Sequence, residues 1–242
     1  RTEATGYGVI FTLREALKEL KIDIATTTAS LQGFGNVAEY AARLYTSMGG
    51  KIIAISCWDD NDKKAYTYRK VDGLDIEQMV SIKDPYGTID KQKAISLGCE
   101  LTSGDQWIAQ DVDILLPCAL ENQITPETFA KISNQVKVLC EGANGPTTPD
   151  CDELIKEKGI YLIPDFLCNA GGVTCSYFEQ VQCNMNYFWP KEEVLEKLDQ
   201  KMTSAFHSVH KLAQEKNLYM RDAAYVISIN RVAEAVKLRG WI

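Results

Sequence analysis

The stretch Thr28-Ala29-Ser30-Leu31-Gln32-Gly33-Phe34-Gly35-Asn36-Val37-Ala38, with Lys51-Ile52-Ile53-Ala54-Ile55-Ser56 downstream of it, decides the fold. Its first five residues read as a short strand. A helix is expected over 36–48, because Val37, Ala41, Leu44 and Tyr45 share one side of a helical period and Gly49-Gly50 then ends it. The apolar run from Lys51 to Ser56 has the pattern of a strand buried on both faces of a parallel sheet. Strand, glycine turn, helix and strand make one βαβ unit. In that setting Gly33 permits a tight turn and Gly35 lets main-chain N–H groups approach a pyrophosphate. Ala38, at the third position of the motif, still allows close packing of helix on strand. The phosphates of a dinucleotide would then sit on the positive end of the helix that begins near Asn36.

Working outward, Val9, Ile10, Leu13, Leu17 and Leu20 are spaced for one face of a helix over 7–20. Residues 59–90 are polar, with one helix expected near 76–82. A buried strand over 112–117 is stopped by proline, and Thr125-Pro126-Glu127 opens a helix with a cap and a proline at its first position. Strands are expected at 136–140 and 160–164, with a helix over 149–158 between them. Beyond Gly171 the strand signal vanishes, and amphipathic stretches cover 191–216 and 221–239. The order predicts an α/β fold: a doubly wound Rossmann-type, mostly parallel sheet with a C-terminal helical segment. One domain over 1–242 is expected, with 190–242 as its C-terminal helices.

Composition narrows the function. The 242 residues carry 26 Lys and Arg against 33 Asp and Glu, a net charge of −7 that disfavours nucleic-acid or membrane-surface binding. No apolar run approaches the ~18 residues of a membrane span. The eight cysteines contain no CxxC pair, and the two histidines, His207 and His210, lie far along the chain from most of them. No metal site is therefore expected, and the thiols read as small buried hydrophobes of a reduced, cytoplasmic protein. The histidines read as surface or packing residues. The chain opens on Arg1-Thr2-Glu3 without Met, so a segment upstream is expected.

Ligands of an open α/β sheet bind at the carboxyl ends of its strands. Cys57-Trp58-Asp59-Asp60 ends the second strand, and a carboxylate there, Asp59 above all, would accept hydrogen bonds from an adenosine ribose and repel a 2′-phosphate. That favours NAD, with NADP possible because Lys63 and Lys64 lie close by. The same aspartates also read as a solvated acidic loop. Pro117-Cys118-Ala119-Leu120-Glu121-Asn122 and Glu141-Gly142-Ala143-Asn144-Gly145-Pro146-Thr147-Thr148 follow two further strands, as binding loops or as ordinary turns. Asn169-Ala170-Gly171-Gly172-Val173-Thr174-Cys175-Ser176 places a glycine pair before a helix and a hydroxyl one turn in.

These motifs, together with Arg1-Thr2-Glu3-Ala4-Thr5-Gly6-Tyr7-Gly8 and Ser176-Tyr177-Phe178-Glu179, give the chain its resemblance to the cofactor-binding domain of the glutamate/leucine/phenylalanine/valine dehydrogenase family. The resemblance covers essentially the whole chain, and the glutamate dehydrogenases are the members it is most similar to. It implies oxidative deamination of L-glutamate to 2-oxoglutarate and ammonia, with NAD(P) as hydride acceptor. Thr5 and Asn36 would contact the nicotinamide cofactor, and Gly33, Phe34, Gly35, Asn36 and Val37 would form its phosphate turn. Asn144 would lie beside the nicotinamide ribose and Ala119 near the cofactor. Ser176, with Asn169, would bind substrate, its hydroxyl meeting the side-chain carboxylate of glutamate. Relatives acting on apolar amino acids lack that hydroxyl. Two positions depart from the pattern: Gln180 stands where many relatives carry Trp, and the acidic loop after the second strand does not align cleanly.

The resemblance also implies that the catalytic lysine and aspartate belong to an N-terminal substrate domain preceding Arg1. No catalytic residue is assigned within the chain, and Lys63, Lys64, Lys91 and Lys93 read as solvated surface. The C-terminal stretch 223–238 carries more apolar surface than a free helix, and the family packs it on the substrate domain. A homo-oligomer is expected for the full-length protein. Two other readings stand beside this one: a dehydrogenase for apolar amino acids, and a non-catalytic dinucleotide-binding module.

Overall fold

Helix and strand alternate through the chain as the hydrophobic periods require. The computed structural model describes residues 1–85 and 87–241. Its elements run α1 (Ala4–Glu19), β1 (Thr28–Gln32), α2 (Asn36–Ser47), β2 (Lys51–Asp59), β3 (Lys64–Arg69), α3 (Ile76–Ser81), α4 (Lys91–Ser96) and β4 (Glu100–Ser103). Then follow β5 (Ile114–Pro117), α5 (Pro126–Phe129), β6 (Val138–Cys140), α6 (Asp152–Glu157), β7 (Tyr161–Ile163), α7 (Asp165–Cys168), α8 (Gly171–Met185), α9 (Lys191–Lys216) and α10 (Met220–Leu238).

Among the described residues the sheet has seven strands in the order β4-β3-β2-β1-β5-β6-β7. β2, β1, β5, β6 and β7 run parallel, while β3 and β4 are antiparallel. This is the expected Rossmann-type, mostly parallel α/β fold. Leu31, Ile52 and Ile55 meet Val9, Ile10 and Leu13 of α1 and Ala41 and Tyr45 of α2 in one core. On the other face Ile53, Leu115, Leu139 and Leu162 pack with Trp107, Ile108 and Ile155. Strands covered on both sides read as unbroken apolar runs, which is why β2 and β5 were legible.

β3 and β4 are additions to the expected pattern. Lys64-Ala65-Tyr66-Thr67-Tyr68-Arg69 alternates at period 2 but mixes charged and hydroxyl-bearing side chains, as an outer strand does. Its pairing carries β2 past Ser56, with Cys57 opposite Tyr66 and Asp59 opposite Lys64.

α1 is wedged between two helices because it offers no side chain on either flank. A Cβ at Gly6 would stand 2.6 Å from the backbone of α2, and one at Gly8 3.0 Å from Gly171 Cα at the start of α8. α10 is buried at its first turns, through Met220, Ala223 and Ala224, and then exposes Ile229, Val232 and Leu238. The histidines sit where packing demands, but they have acidic neighbours that sequence spacing did not disclose. His210 Nδ1 meets the Tyr161 hydroxyl at 2.7 Å, and His207 Nε2 faces Glu15 Oε2 of α1 at 3.1 Å. All eight cysteines are unpaired; six are buried, Cys118 is half-buried and Cys183 is exposed.

Candidate functional site

From β1 the chain crosses through α2 to β2 on one side, and it later returns to place β5 on the other. The sheet therefore reverses its winding between β1 and β5, and an open α/β sheet has its crevice outside the carboxyl ends at that point. Register brings the two bounding loops together: Gln32 pairs with Pro117, so Gly33 lies beside Ala119. Gly33 has φ of +92°, and a Cβ there would stand 2.9 Å from Ala119 Cβ. Its N–H donates to Ser56 O at 2.7 Å, which fixes the turn to β2. Phe34 points its ring into the core, leaving its main chain at the turn. Gly35 is exposed, and a Cβ there would meet nothing, so its outward face is open.

Asn36 and Val37 open α2 at this edge. With Thr5 and Thr2 near the start of α1, and Gly172, Val173 and Ser176 of α8, they line a cleft of about 670 Å³. Three helix N-termini thus converge. None of the three has a side-chain cap; Ala4 N at the start of α1 donates to Arg1 O at 3.1 Å, and the other first-turn N–H groups meet no capping side chain. Each helix N-terminus acts as roughly half a positive charge. The arrangement suits anionic groups, and Arg1 at the rim is a cation paired with Glu179 at 3.3 Å. Ser176 Oγ donates back to Gly172 O at 3.1 Å, and turning that O–H away from the carbonyl would let it donate to a carboxylate in the cleft.

Asn144, after β6, and Asn169, after α7, are joined by a 2.8 Å hydrogen bond from Asn169 Nδ2 to Asn144 Oδ1. Beneath them Glu141 is fully buried and accepts both terminal guanidinium nitrogens of Arg221, at 2.8 and 2.9 Å. Burial pushes the Glu141 carboxyl up more strongly than Arg221 pulls it down. Arg221 Nε also reaches Asp152, and Asp165 N donates to Glu141 Oε2, so one arginine ties α10 to the loop after β6. On the β2 side, exposed Trp58 and Leu120 flank a second hollow of about 480 Å³, floored by Gln32. Gln32 Nε2 donates to Gln123 Oε1 at 2.7 Å, while Gln32 Oε1 has no partner among the described residues.

Asp59 ends β2 in a buried position. It is 1% exposed, and its carboxylate faces inward. Oδ1 accepts from the amides of Asn61 and Asp62, both at 2.9 Å, and Oδ2 from Lys91 Nζ at 2.7 Å. Burial alone would push this carboxyl up, but Lys91 and the two amides outweigh it and hold it below the usual range. Asp59 thus spends three of its roughly four acceptor sites on the fold. Lys91, expected to be solvated, is its charged partner. Two exposed carboxylates stand at this corner, Asp60, paired with Lys63 Nζ at 2.8 Å, and Asp62, paired with Lys91 Nζ.

The structure therefore brings Thr5, Gly33, Gly35, Asn36, Val37, Ala119 and Ser176 to one edge, with Asn144 and Asn169 joined after β6 and α7 and Asp59 buried at the end of β2. Two neighbours of the turn went unnoticed in the sequence. Gln32 ends β1 as a polar residue in a buried strand, which was a readable signal. Lys83 carried none, since its partners Phe34 and Glu39 are 49 and 44 residues away.

Fold and site together define a Rossmann-type α/β protein with an anion-suited crevice at its switch point. The chain belongs to the Glutamate/Leucine/Phenylalanine/Valine dehydrogenase family, whose model matches residues 1–240. It is 44% identical over 241 residues to the NAD-specific glutamate dehydrogenase of Clostridioides difficile, covering 100% of this chain and 56% of that protein. Among solved structures, glutamate dehydrogenase from Peptoniphilus asaccharolyticus matches with a TM-score of 0.83 at 37% identity, over 100% of this chain and 54% of that one. That of Plasmodium falciparum gives 0.90 at 28% identity, over 99% and 52%. The chain spans about half the length of the curated relatives it matches.

Proposed function

We propose that the crevice binds NAD and that the chain serves as the cofactor-binding part of a dehydrogenase converting L-glutamate to 2-oxoglutarate and ammonia. The observation that carries the reading is the meeting of three uncapped helix N-termini on one cleft beside Gly35. The residues fit the cofactor, because the face of Gly35 is open where a diphosphate would lie. Gly33, Gly35, Asn36, Val37 and the main chain of Phe34 would hold the diphosphate. Thr5 and Asn36 would orient the nicotinamide end, with Ala119 and Asn144 beside it. Ser176 and Asn169 would meet the substrate, the Ser176 hydroxyl facing the distal carboxylate of glutamate.

NAD supplies the hydride acceptor when bound; the chain's own residues bind and orient. The described residues lining the cleft include no carboxylate, histidine or lysine that could manage a proton. Proton transfer is therefore assigned to a further, substrate-binding domain of the full-length protein, consistent with the length of the relatives. NAD is preferred over NADP because relatives at 44% and 39% identity are named NAD-specific. The unpaired thiols suit a cytoplasmic protein, and the exposed apolar stripe of α10 suits a larger homo-oligomeric assembly.

Calorimetric titration with NAD and NADP tests the reading, with the tighter binding expected for NAD. Binding of neither would sink it, and tighter NADP would reverse the preference. On the full-length protein, faster turnover of leucine or phenylalanine than of glutamate would overturn the role given to Ser176.

A further inference from the structure

We infer that Lys83 is a positioning residue for the phosphate turn, holding the Phe34–Gly35 peptide so that its N–H serves the ligand. The inference rests on the cofactor reading above and deepens it. Lys83 leaves the segment after α3 and lies 15% exposed behind the turn. Its ammonium donates to Phe34 O at 3.1 Å and to the Glu39 carboxylate on the first turns of α2, and it stands 4.9 Å from the centre of the Phe34 ring.

The Phe34 carbonyl is not used by α2, whose first acceptor is Gly35 O, bonded from Glu39 N at 2.9 Å. Without Lys83 this carbonyl would be free to rotate with its peptide. In a planar trans peptide the C=O and the next N–H point in opposite directions. A carbonyl anchored on Lys83 therefore turns the Gly35 N–H to the opposite side, away from the lysine, where the turn is open. The second service is electrostatic. Glu39, 12% exposed, lies one turn from the helix end that would receive a diphosphate, and its charge is countered by Lys83 and by Arg43 at 3.2 Å. Removing the ammonium would release the peptide and uncover part of a negative charge beside an anionic ligand.

The test compares ADP-ribose with adenosine, by calorimetry on the chain and its variants. For Lys83→Met, the Kd for ADP-ribose is expected to rise about tenfold, as for loss of a charge-assisted hydrogen bond. Lys83→Gln keeps a donor without the charge and should fall between Met and the wild type. Adenosine, which lacks the diphosphate, should bind all three proteins within about twofold. A lysine that merely supports the fold would weaken both ligands alike, and that result overturns the inference. So would ADP-ribose binding as tightly to both variants as to the wild type. If the wild type itself fails to bind ADP-ribose, the cofactor reading falls first.

Discussion

Replacing Gly33 by alanine tests the turn at the point where conformation and packing act together. Gly33 sits at φ of +92°, where an L-residue costs about 1–2 kcal/mol. The new methyl would also stand 2.9 Å from Ala119 Cβ, and overpacking of that kind costs about 1–3 kcal/mol. The sum is about 2–5 kcal/mol. For a chain of 242 residues the unfolding entropy is about 0.5 kcal/mol/K, so Tm should fall by about 4–10 °C. Scanning calorimetry reads this directly, and isothermal titration with NAD should show weaker binding as the turn shifts. Ala119→Gly in the same chain removes the clash and leaves the backbone strain, so it should restore about half of the loss. A G33A protein with unchanged Tm, or one that Ala119→Gly does not help, would refute both the steric account and the placement of the two loops.

Arg221→Met should destabilise by about 3–5 kcal/mol, because Glu141 is left buried without its partner. Burial already raises the Glu141 carboxyl, so the variant must take up a proton to keep it inside. Stability from a raised carboxyl is present at low pH and lost as pH rises, so the Tm deficit should be smaller at pH 5 than at pH 8; the reverse order would refute the buried-pair account. Asp59→Asn should lower Tm by a few degrees while leaving NAD affinity within about twofold; a large loss of affinity at unchanged Tm would return Asp59 to the ribose. In the wild type the depressed Asp59 carboxyl contributes stability above its ordinary pKa, and that share is lost as pH falls through the lower folded value, a slope that D59N should lack.

What the sequence disclosed followed from short range. β1, the turn and α2 lie within twenty residues, and their signals are local: an apolar period, a glycine pair, a terminating Gly49-Gly50. The capping box of Thr125 and Thr128 was likewise visible as a cap before a proline. What stayed hidden lay at a distance. The burial of Asp59 has no local signal because Lys91, which pairs with it, is 32 residues on. Lys83 went unread, and the acidic partners of His207 and His210 with it, because periodicity says nothing of which faces meet. β3 was hidden by its polar alternation, next to the edge strand β4 and away from the apolar centre of the sheet.

The cleft formed by α1, α2 and α8 acts over a few ångströms, whereas the excess of acidic residues acts over the whole surface. Within about a Debye length of the surface, about 8 Å in physiological salt, an approaching anion senses the body's −7, and farther out that charge is screened. Within the first helical turn it senses amides. Added electrolyte therefore eases the approach of a phosphate-bearing ligand and loosens its grip once seated, so arrival rate and affinity move in opposite directions as ionic strength rises. An uncharged nucleoside would register neither change.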